Sequence, residues 1–373
     1  MSVIDAKPRI FVFDVDIAPF MANRVFDLDQ VRQYPGAEAF VRLGEVLRAR
    51  GMMTVTADAY LQSPMRTEPA VCLSNELTQF TDILLSMPHV VPAACMTLES
   101  PIVIHDFYRE IPETSARFRH VFLWKGAREC ATGGAQFHEI HWPYPNLALA
   151  EGVPAWKERR FLSLVNSNKH MPAPPTPTLD LRHPRHTYRQ FRNAARWRRL
   201  EVSEPWLRSD LYAERLRAIG HFARSADFDL YGRGWDDTSL LTKAEAAAVA
   251  SSYRGEIGPL AKIETLSQYK FALCLENTSY SGYITEKIFD CFAAGCIPVY
   301  LGDPDIGQSV PPDAFVDTRV FRTFADLEAS LRSMDGEMAQ RHLDAAQEFM
   351  GSAAARPFTQ DFFVHEVAAA LIG

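Results

Sequence analysis

The sequence lacks a long apolar run. None of its stretches reaches the roughly 18 consecutive apolar residues that a membrane-spanning helix needs. The opening residues also lack the apolar region and the cleavage site of a secretory signal peptide. We therefore expect a cytoplasmic protein, with peripheral contact at the inner membrane as the nearest approach to a bilayer.

Paired cysteines and an excess of positive charge are also absent. The six cysteines form no C-x-x-C motif and no metal-type spacing, so we expect small buried side chains in a reducing compartment. The formal net charge of −7 argues against nucleic acid as a global partner. With 47% hydrophobic and 23% charged residues, the composition is that of an ordinary globular protein.

A glycine-rich dinucleotide loop is missing near the start of the chain. The apolar run Arg9 to Val15 predicts a first strand, and the ten residues from Asp16 to Val25 contain no glycine. This absence argues against a short-chain dehydrogenase or epimerase. Tyr283 and Lys287 have the Tyr-x-x-x-Lys spacing of that class, which keeps it as an alternative of a different kind.

The 373 residues exceed the usual limit of one hydrophobic core, so we expect two domains. Buried strands alternate with helices in both halves, which predicts mostly parallel sheets with helices on their faces. The predicted strands cover residues 9–15, 52–56, 94–98, 120–124, 161–166, 228–231, 270–275, 297–300 and 314–316, with helices at 37–50 and 360–372 and an ambiguous segment at 80–86.

Prolines and a glycine interrupt this alternation near residues 143–154. We therefore predict an N-terminal acceptor-side domain over residues 1–155 and a C-terminal Rossmann-like domain over 156–350. Residues 351–373 are predicted to form a terminal helix that returns to the first domain.

The segment from Tyr269 to Ile306 is the most informative part of the chain. It reads as a buried strand, a polar loop, a short helix that ends at Gly295, and a second buried strand. Glu286 and Lys287 fall in the first turn of that helix. Open α/β sheets bind ligands at the carboxyl ends of their strands, and free helix N–H groups favour anions there. The pattern predicts an anionic, nucleotide-linked ligand.

The same segment carries a family resemblance. Glu276-Asn277-Thr278, then Gly282 to Ile288, then Gly295 to Tyr300, resemble the signature of the family 10 glycosyltransferases, the α-1,3/1,4-fucosyltransferases. The resemblance implies a GT-B fold, in which two Rossmann-like α/β domains face a cleft. It implies inverting transfer of L-fucose from GDP-fucose to a hydroxyl of a glycan acceptor.

The resemblance also implies that no cofactor is required, with a divalent metal at most stimulatory. Animal members are anchored in the Golgi membrane, so the missing anchor makes the chain resemble the soluble bacterial members. Those bacterial members commonly decorate lipopolysaccharide or capsule.

Sugar transfer needs a base for the acceptor hydroxyl, and Glu99 is the candidate. It directly follows the predicted strand 94–98, and burial at a strand end would raise its pKa toward the working pH. Glu99-Ser100-Pro101 resembles the segment that holds the catalytic glutamate of the family. His105, six residues on, is a second candidate for orienting the acceptor or acting as base.

The resemblance places the donor at four residues of the signature. Lys287 would hold the leaving diphosphate, Glu286 would bond ribose hydroxyls, and Asn277 and Tyr283 would contact the phosphate or sugar. A family arginine that follows a Ser-Asn strand end implies a second cation. Arg208 fits that position, and Arg215 is the fallback.

Asp-x-Asp pairs could hold a metal, and the chain contains several, but turns and helix caps explain such carboxylates well. No metal-binding residue is therefore assigned. The pairs are Asp14/Asp16, Asp27/Asp29, Asp227/Asp229 and Asp303/Asp305.

A basic insertion interrupts the second half at residues 170–205. It holds seven arginines between Arg182 and Arg199, and five of them share one face if the segment is helical. A solvated basic face is the simplest interpretation, and peripheral contact with anionic membrane lipid is the functional one. The five are Arg185, Arg189, Arg192, Arg196 and Arg199.

Further alternatives keep the fold and change the activity. A GT-B transferase could use another GDP-sugar, and a binding module could keep the fold without catalysis. The acceptor, the linkage and the oligomeric state are not encoded in any motif of the chain.

Overall fold

Two parallel β-sheets form the framework of the computed structural model, which describes residues 9–34, 36–144, 150–169 and 209–372. Every strand pairing within the described sheets is parallel. The strands are β1 (Ile10–Asp14), β2 (Met53–Thr56), β3 (Ala70–Asn75), β4 (Val90–Met96), β5 (His120–Leu123), β6 (Gln136–Glu139), β7 (Arg160–Val165), β8 (Phe228–Tyr231), β9 (Tyr269–Leu275), β10 (Ile297–Leu301) and β11 (Val316–Asp317).

The strand order gives each sheet a topological switch point. The first sheet runs β2-β1-β3-β4-β5-β6 and the second runs β11-β10-β9-β7-β8. Connections leave in opposite directions from β1 and β3 in the first sheet, and from β7 and β9 in the second. Open α/β sheets bind ligands in the crevice outside the carboxyl ends of such strands. Each sheet therefore has one predicted ligand edge.

Helices cover the faces of both sheets, as parallel strands joined by crossovers require. Thr242 and Glu245 form a reciprocal capping box at the start of one of them, and Gly295 ends another in the left-handed conformation at φ 62°. The described helices are α1 (Leu28–Val31), α2 (Glu38–Ala49), α3 (Ala57–Gln62), α4 (Thr81–Leu85), α5 (His105–Thr114), α6 (Tyr212–Phe222), α7 (Lys243–Ser252), α8 (Pro259–Ser267), α9 (Glu286–Ala294), α10 (Phe324–Ser333), α11 (Gly336–Met350) and α12 (Gln360–Ile372).

The last helix packs on the first sheet rather than on the second. Phe363, Val364 and Val367 of α12 belong to the same buried cluster as Phe40 of α2. The rings of Phe40 and Phe363 meet edge to face with centroids 5.6 Å apart. Burial of these side chains is what draws the end of the chain back across the molecule.

The chain thus crosses between the sheets twice, and the two crossings lie side by side. The backbone N–H of Tyr144 donates to the carbonyl of Phe358 at 2.8 Å, and the N–H of Gln360 donates to the carbonyl of Tyr144 at 3.2 Å. These two crossings, at Tyr144 and at residues 358–360, are called the paired crossings below.

Most predicted elements are present with small shifts of their ends. The predicted strand 94–98 is longer and earlier, at Val90–Met96, and the predicted strand 314–316 is reduced to Val316–Asp317. The ambiguous segment 80–86 forms the helix α4, and β3 and β6 were not predicted. In the described ranges, no helix is both long and apolar enough to span a membrane.

The six cysteines are all free, and five of them are buried, as predicted. Cys274 and Cys291 pack with their sulfur atoms 3.3 Å apart beneath the signature segment. The five arginines of the basic insertion, from Arg185 to Arg199, lie outside the described residues.

Candidate active site

The loop that precedes α9 brings the ligand edges of the two sheets together. The backbone N–H of Gly126 donates to the carbonyl of Ser281 at 2.8 Å. Gly282 has φ 82°, and a β-carbon there would lie only 2.8 Å from the backbone nitrogen of Lys125. Only glycine permits this close approach at that backbone conformation. The signature loop of the second sheet therefore docks directly on the segment that follows β5.

Glu99 lies just past β4, at the edge of the first sheet. Its backbone carbonyl accepts hydrogen bonds from the hydroxyl of Tyr108 at 2.9 Å and from the indole N–H of Trp124 at 3.1 Å. These contacts fix the backbone and leave the carboxylate to other partners. Among the described atoms, Oε2 of Glu99 is buried without a hydrogen-bond partner. A buried oxygen with unused acceptor capacity suits a group that receives a proton.

Burial raises the pKa of Glu99, while attraction to Lys169 and Lys287 opposes that rise. Lys287 belongs to α9, next to the second sheet. The electrostatic interaction between Glu99 and Lys287 therefore crosses the junction between the two sheets. Glu99 is thus a carboxylate with raised basicity that interacts electrostatically with a cation on α9. Because β4 ends at Met96, Glu99 lies three residues beyond the strand rather than directly after it, and its role as the base stays a prediction.

Glu76 is a second carboxylate at this edge, and no sequence motif identifies it. It follows β3 with φ 67°, an uncommon left-handed conformation for a residue other than glycine. The hydroxyl of Thr97 donates to Oε1 of Glu76 at 3.2 Å and accepts from the N–H of Glu99 at 2.9 Å, which links the two acidic residues. Burial, and then the charge of Glu99, raises the pKa of Glu76 to about 7.

The start of α9 carries an ion pair at the edge of the second sheet. Glu276 is fully buried at the end of β9, and its Oε1 accepts from the backbone N–H of Thr285, the residue that caps α9, at 2.9 Å. The ammonium of Lys287 lies 2.7 Å from Oε2 of Glu276 and 2.7 Å from the hydroxyl of Thr285. Burial works against the charge of Lys287, yet Glu276 and Glu286 hold the pKa of Lys287 above its ordinary value. A fixed cation therefore lies at this edge at neutral pH.

Glu286 lies one residue before Lys287, with a side chain that is 20% exposed. Its Oε1 is 3.8 Å from the ammonium of Lys287 and 3.6 Å from the ammonium of Lys262. Burial alone would raise the pKa of Glu286, but these two cations hold it below its ordinary value. Lys262, on α8, was not predicted from the sequence.

Asn277 and Tyr283 join the two edges. The side-chain amide of Asn277 donates to the hydroxyl of Tyr283 at 3.4 Å. The ring of Tyr283 meets the ring of Trp124 edge to face at 5.0 Å, so this residue of the signature loop lies within the core of the first sheet. Burial raises the pKa of Tyr283 well above its ordinary value, and the negative charge of Glu99 adds to that rise.

These contacts differ from those of a Tyr–Lys redox pair. The ammonium of Lys287 is directed at Glu276 and Thr285, while the hydroxyl of Tyr283 bonds to Asn277. The arrangement lacks the direct Tyr283–Lys287 contact that the short-chain dehydrogenase interpretation would need.

Arg215 lies at the switch point of the second sheet. One of its guanidinium nitrogens donates to the carbonyl of Ser167 at 3.1 Å, and the other donates to the carbonyls of Leu275 at 3.3 Å and Glu276 at 3.4 Å. Its side chain is 1% exposed, and burial lowers its pKa to about 10. Arg215, which the sequence offers as the alternative to Arg208, therefore links the ends of β7 and β9. Arg208, the first choice, lies outside the described residues.

The other sequence candidates lie elsewhere. His105 begins α5 with a side chain that is 48% exposed, 3.6 Å from Asp106. Asp14 is fully buried and accepts hydrogen bonds from Ser74 and Thr81, which is a structural role. Within the described part of the chain, no three His, Cys, Asp or Glu side chains form a group suited to a metal ion.

The fold, and the polar side chains at the ligand edges of its two sheets, indicate a class of protein. A crystal structure of the G117R mutant of S. aureus TarM, in complex with fondaparinux, α-GlcNAc-glycerol and UDP, covers 82% of this chain and 55% of that chain with a TM-score of 0.50. The sequences are 6% identical, so the likeness concerns the fold alone. The chain has the α/β GT-B arrangement of two Rossmann-like units.

Sequence comparison identifies a family that part of the chain resembles. Residues 202–343 match the model described as glycosyltransferase family 10 (fucosyltransferase), C-terminal. Over this region, which contains β9, α9 and Arg215 but not the end of β7, the chain is similar to glycosyltransferase family 10.

Two curated relatives share this part of the chain. The α-(1,3)-fucosyltransferase FucT of Helicobacter pylori is 41% identical over 86 residues, which are 22% of this chain and 18% of that protein. The α-(1,4)-fucosyltransferase of Arabidopsis thaliana is 35% identical over 69 residues, which are 18% of this chain and 17% of that protein. The matched segments thus span less than a fifth of the length of either relative.

Proposed function

We propose that this protein transfers L-fucose from GDP-fucose to a hydroxyl group of a glycan, with inversion at the anomeric carbon. One observation carries the proposal. The unpartnered, buried carboxylate oxygen of Glu99 lies at the edge of one sheet, and the cation of Lys287 acts on it from the edge of the other. The named activity of the relatives, fucosyl transfer, supplies the chemistry that such a pair of edges can perform.

In the proposed mechanism Glu99 takes the proton of the acceptor hydroxyl. The acceptor oxygen forms a bond to the anomeric carbon of the fucose while the bond from that carbon to the diphosphate oxygen breaks. The electron pair of that bond leaves with GDP. In this scheme the base and the leaving group would lie on opposite sides of the reacting carbon, as a single displacement with inversion requires, and a β-linked donor would give an α-linked product.

Lys287 and the free N–H groups at the start of α9 would stabilise the negative charge that grows on the departing diphosphate. Fixed cations and helix N-termini cost no reorganisation when the charge develops, and removal of one such contact typically costs about 10²–10³ in rate. Glu286 would bond hydroxyls of the ribose or the sugar. Asn277 and Tyr283 complete the donor side, and Arg208 is proposed as a further phosphate contact.

No step of this scheme needs a metal, since two cations and a helix N-terminus suffice for the diphosphate. We therefore propose that no cofactor is required. A human relative is named for 3-α-fucosylation of a 4-galactosyl-N-acetylglucosaminide, and that disaccharide is the first acceptor we would supply. The linkage formed and a peripheral position at an anionic membrane remain proposals of the same kind.

The test is a transfer assay with GDP-fucose, GDP-mannose and UDP-glucose as donors and this disaccharide with related glycans as acceptors. GDP release that depends on GDP-fucose and acceptor, with an α-linked product by NMR, is the expected result. Transfer from GDP-mannose instead would support the alternative of another GDP-sugar. A β-linked product would contradict inversion.

A further inference from the structure

The carboxylate of Glu286 lies between two ammonium groups from different helices. Lys287 is its neighbour on α9, at 3.8 Å, and Lys262 reaches it from α8, at 3.6 Å. Lys287 also has a closer partner, since its distance to Glu276 is 2.7 Å. Lys262 is therefore the cation nearest to Glu286, although no family motif singles it out.

The position of Lys262 follows from the packing of α8 on α9. Leu266 lies one turn further along α8 and is buried in the cluster that contains Ile288 of α9. Residues four apart share a helix face, so Lys262 also faces α9. Its ammonium lies 2.5 Å from Oδ2 of Asp290, one turn beyond Glu286 on α9.

Lys262 offsets a repulsion that the sequence of α9 creates. Glu286 and Asp290 are like charges at i and i+4, with side chains only 20% and 11% exposed. Such a pair is unfavourable on a helix, and more so away from water. Because Lys262 bonds closely to Asp290 and lies at a longer distance from Glu286, it keeps Glu286 ionised and leaves hydrogen-bonding capacity on that carboxylate for a ligand.

The same cluster extends to the paired crossings between the sheets. The side chain of Tyr144 also interacts with Asp290 and favours the ionised form of that carboxyl group. The backbone of Tyr144 is in turn bonded to Phe358 and Gln360, so it belongs to both crossings. A continuous set of polar contacts therefore runs from Glu286 through Lys262 and Asp290 to the connection between the sheets.

We propose that Lys262 is a positioning residue for the donor: it holds Glu286 in the ionised, oriented form that binds hydroxyl groups of the nucleotide sugar. Through Asp290 and Tyr144 it also ties this carboxylate to the paired crossings. The inference rests on the proposed function, because it takes Glu286 as the residue that meets the ribose or sugar of GDP-fucose.

The test uses the full chain and a paired variant. Lys262→Met alone would leave Asp290 buried without its cation, so Lys262→Met/Asp290→Asn is compared with Asp290→Asn, which keeps the lysine beside Glu286. Lys270→Met is the matched control, since Lys270 lies at the start of β9 over the ring of Trp156, 5.5 Å from its centroid. Calorimetric titration with GDP-fucose gives Kd, and transfer assays separate KM from kcat.

We expect Kd and KM for GDP-fucose to be about tenfold higher in the paired variant than in Asp290→Asn, with kcat changed much less and with Lys270→Met close to wild type. In a Glu286→Gln background the same paired change should add little, because its effect passes through Glu286. Equal losses in the presence and absence of Glu286, or an unchanged Kd, would overturn the inference. A wild-type protein that does not bind GDP-fucose would instead overturn the proposed function itself.

Discussion

The ammonium of Lys287 lies 2.7 Å from Oε2 of Glu276, a carboxylate with no exposed surface at the end of β9. The pair sits where the first turn of α9 meets the ligand edge of the second sheet. It gives the donor side a cation that is already held in place before any ligand arrives. The arrangement also means that a change at Lys287 affects stability as well as binding.

We predict that Lys287→Met destabilises the fold by about 3–5 kcal/mol, because it leaves the charge of Glu276 buried and unpaired. Lys287→Met/Glu276→Gln should recover much of that loss, since neither charge remains. Donor binding should stay weak in both variants because the diphosphate loses its cation. Urea denaturation and titration with GDP measure the two effects separately. Restored GDP affinity in the double variant would contradict a direct role for Lys287.

Glu99→Gln should lower kcat by about 10²–10⁴ while Kd for GDP-fucose stays near that of wild type. The backbone carbonyl of Glu99 keeps its bonds to Tyr108 and Trp124 in this variant, so the fold should persist. Glu110→Gln, an exposed glutamate on α5, is the matched control. Turnover near that of wild type in Glu99→Gln would show that another group is the base.

The pH dependence of wild-type turnover should report the same residue. A base acts only when ionised, and burial raises the pKa of Glu99. Activity should therefore fall as the pH drops through a pKa above that of an ordinary glutamate, and be retained above it. A rate that stays level down to the ordinary glutamate range would contradict the assignment.

Glu76 should make stability depend on pH in a defined direction. Burial and the charge of Glu99 raise the pKa of Glu76 to about 7, so the folded protein holds this proton more tightly than the unfolded chain. The free energy of unfolding should thus fall as the pH rises from about 4.5 toward about 7. Glu76→Gln should remove part of this fall, with a gain over wild type at pH 8 on the order of 1–3 kcal/mol. An equal difference between the two proteins at pH 4 and pH 8, by urea denaturation, would refute it.

Arg215 should matter for stability more than its neighbour Arg217. Arg215→Met would remove the guanidinium that donates to the carbonyls of Ser167, Leu275 and Glu276, at about 1–3 kcal/mol for each group left unpaired. The side chain of Arg217 is 70% exposed, so Arg217→Met should change the free energy of unfolding by less than about 0.5 kcal/mol. Similar urea midpoints for the two variants would contradict the role given to Arg215.

The parts of the fold that the sequence predicts are those with a strong local pattern. β9 is a continuous apolar run because it is a central strand buried on both faces, and Gly295 marks the end of α9. The strand β6, Gln136–Glu139, was missed because an edge strand needs little apolar surface. The strand β3 was missed although its six residues are all buried, because Ser74-Asn75 at its end resembles a loop.

The residues of the candidate site also divide into those that a local sequence pattern predicts and those that it does not. Glu99, Asn277, Tyr283, Glu286 and Lys287 lie together where the strand ends and the signature predict them. Their catalytic and binding roles stay predictions. Lys262 and Glu76 reach the site through contacts between distant segments, which no local pattern records. The spacing of Glu286 and Asp290 does indicate that a cation lies nearby, because two acidic residues at i and i+4 on a buried helix face repel each other, but it does not identify Lys262.

The central claim is that the second sheet binds GDP-fucose at the start of α9, and calorimetric titration of the purified protein tests it most directly. The ligands are GDP-fucose, GDP-mannose, UDP-glucose and NAD, each with and without EDTA. We predict that GDP-fucose binds most tightly, that EDTA does not abolish its binding, and that Glu99→Gln leaves its Kd near that of wild type. Preferential binding of UDP-glucose or NAD would contradict the account.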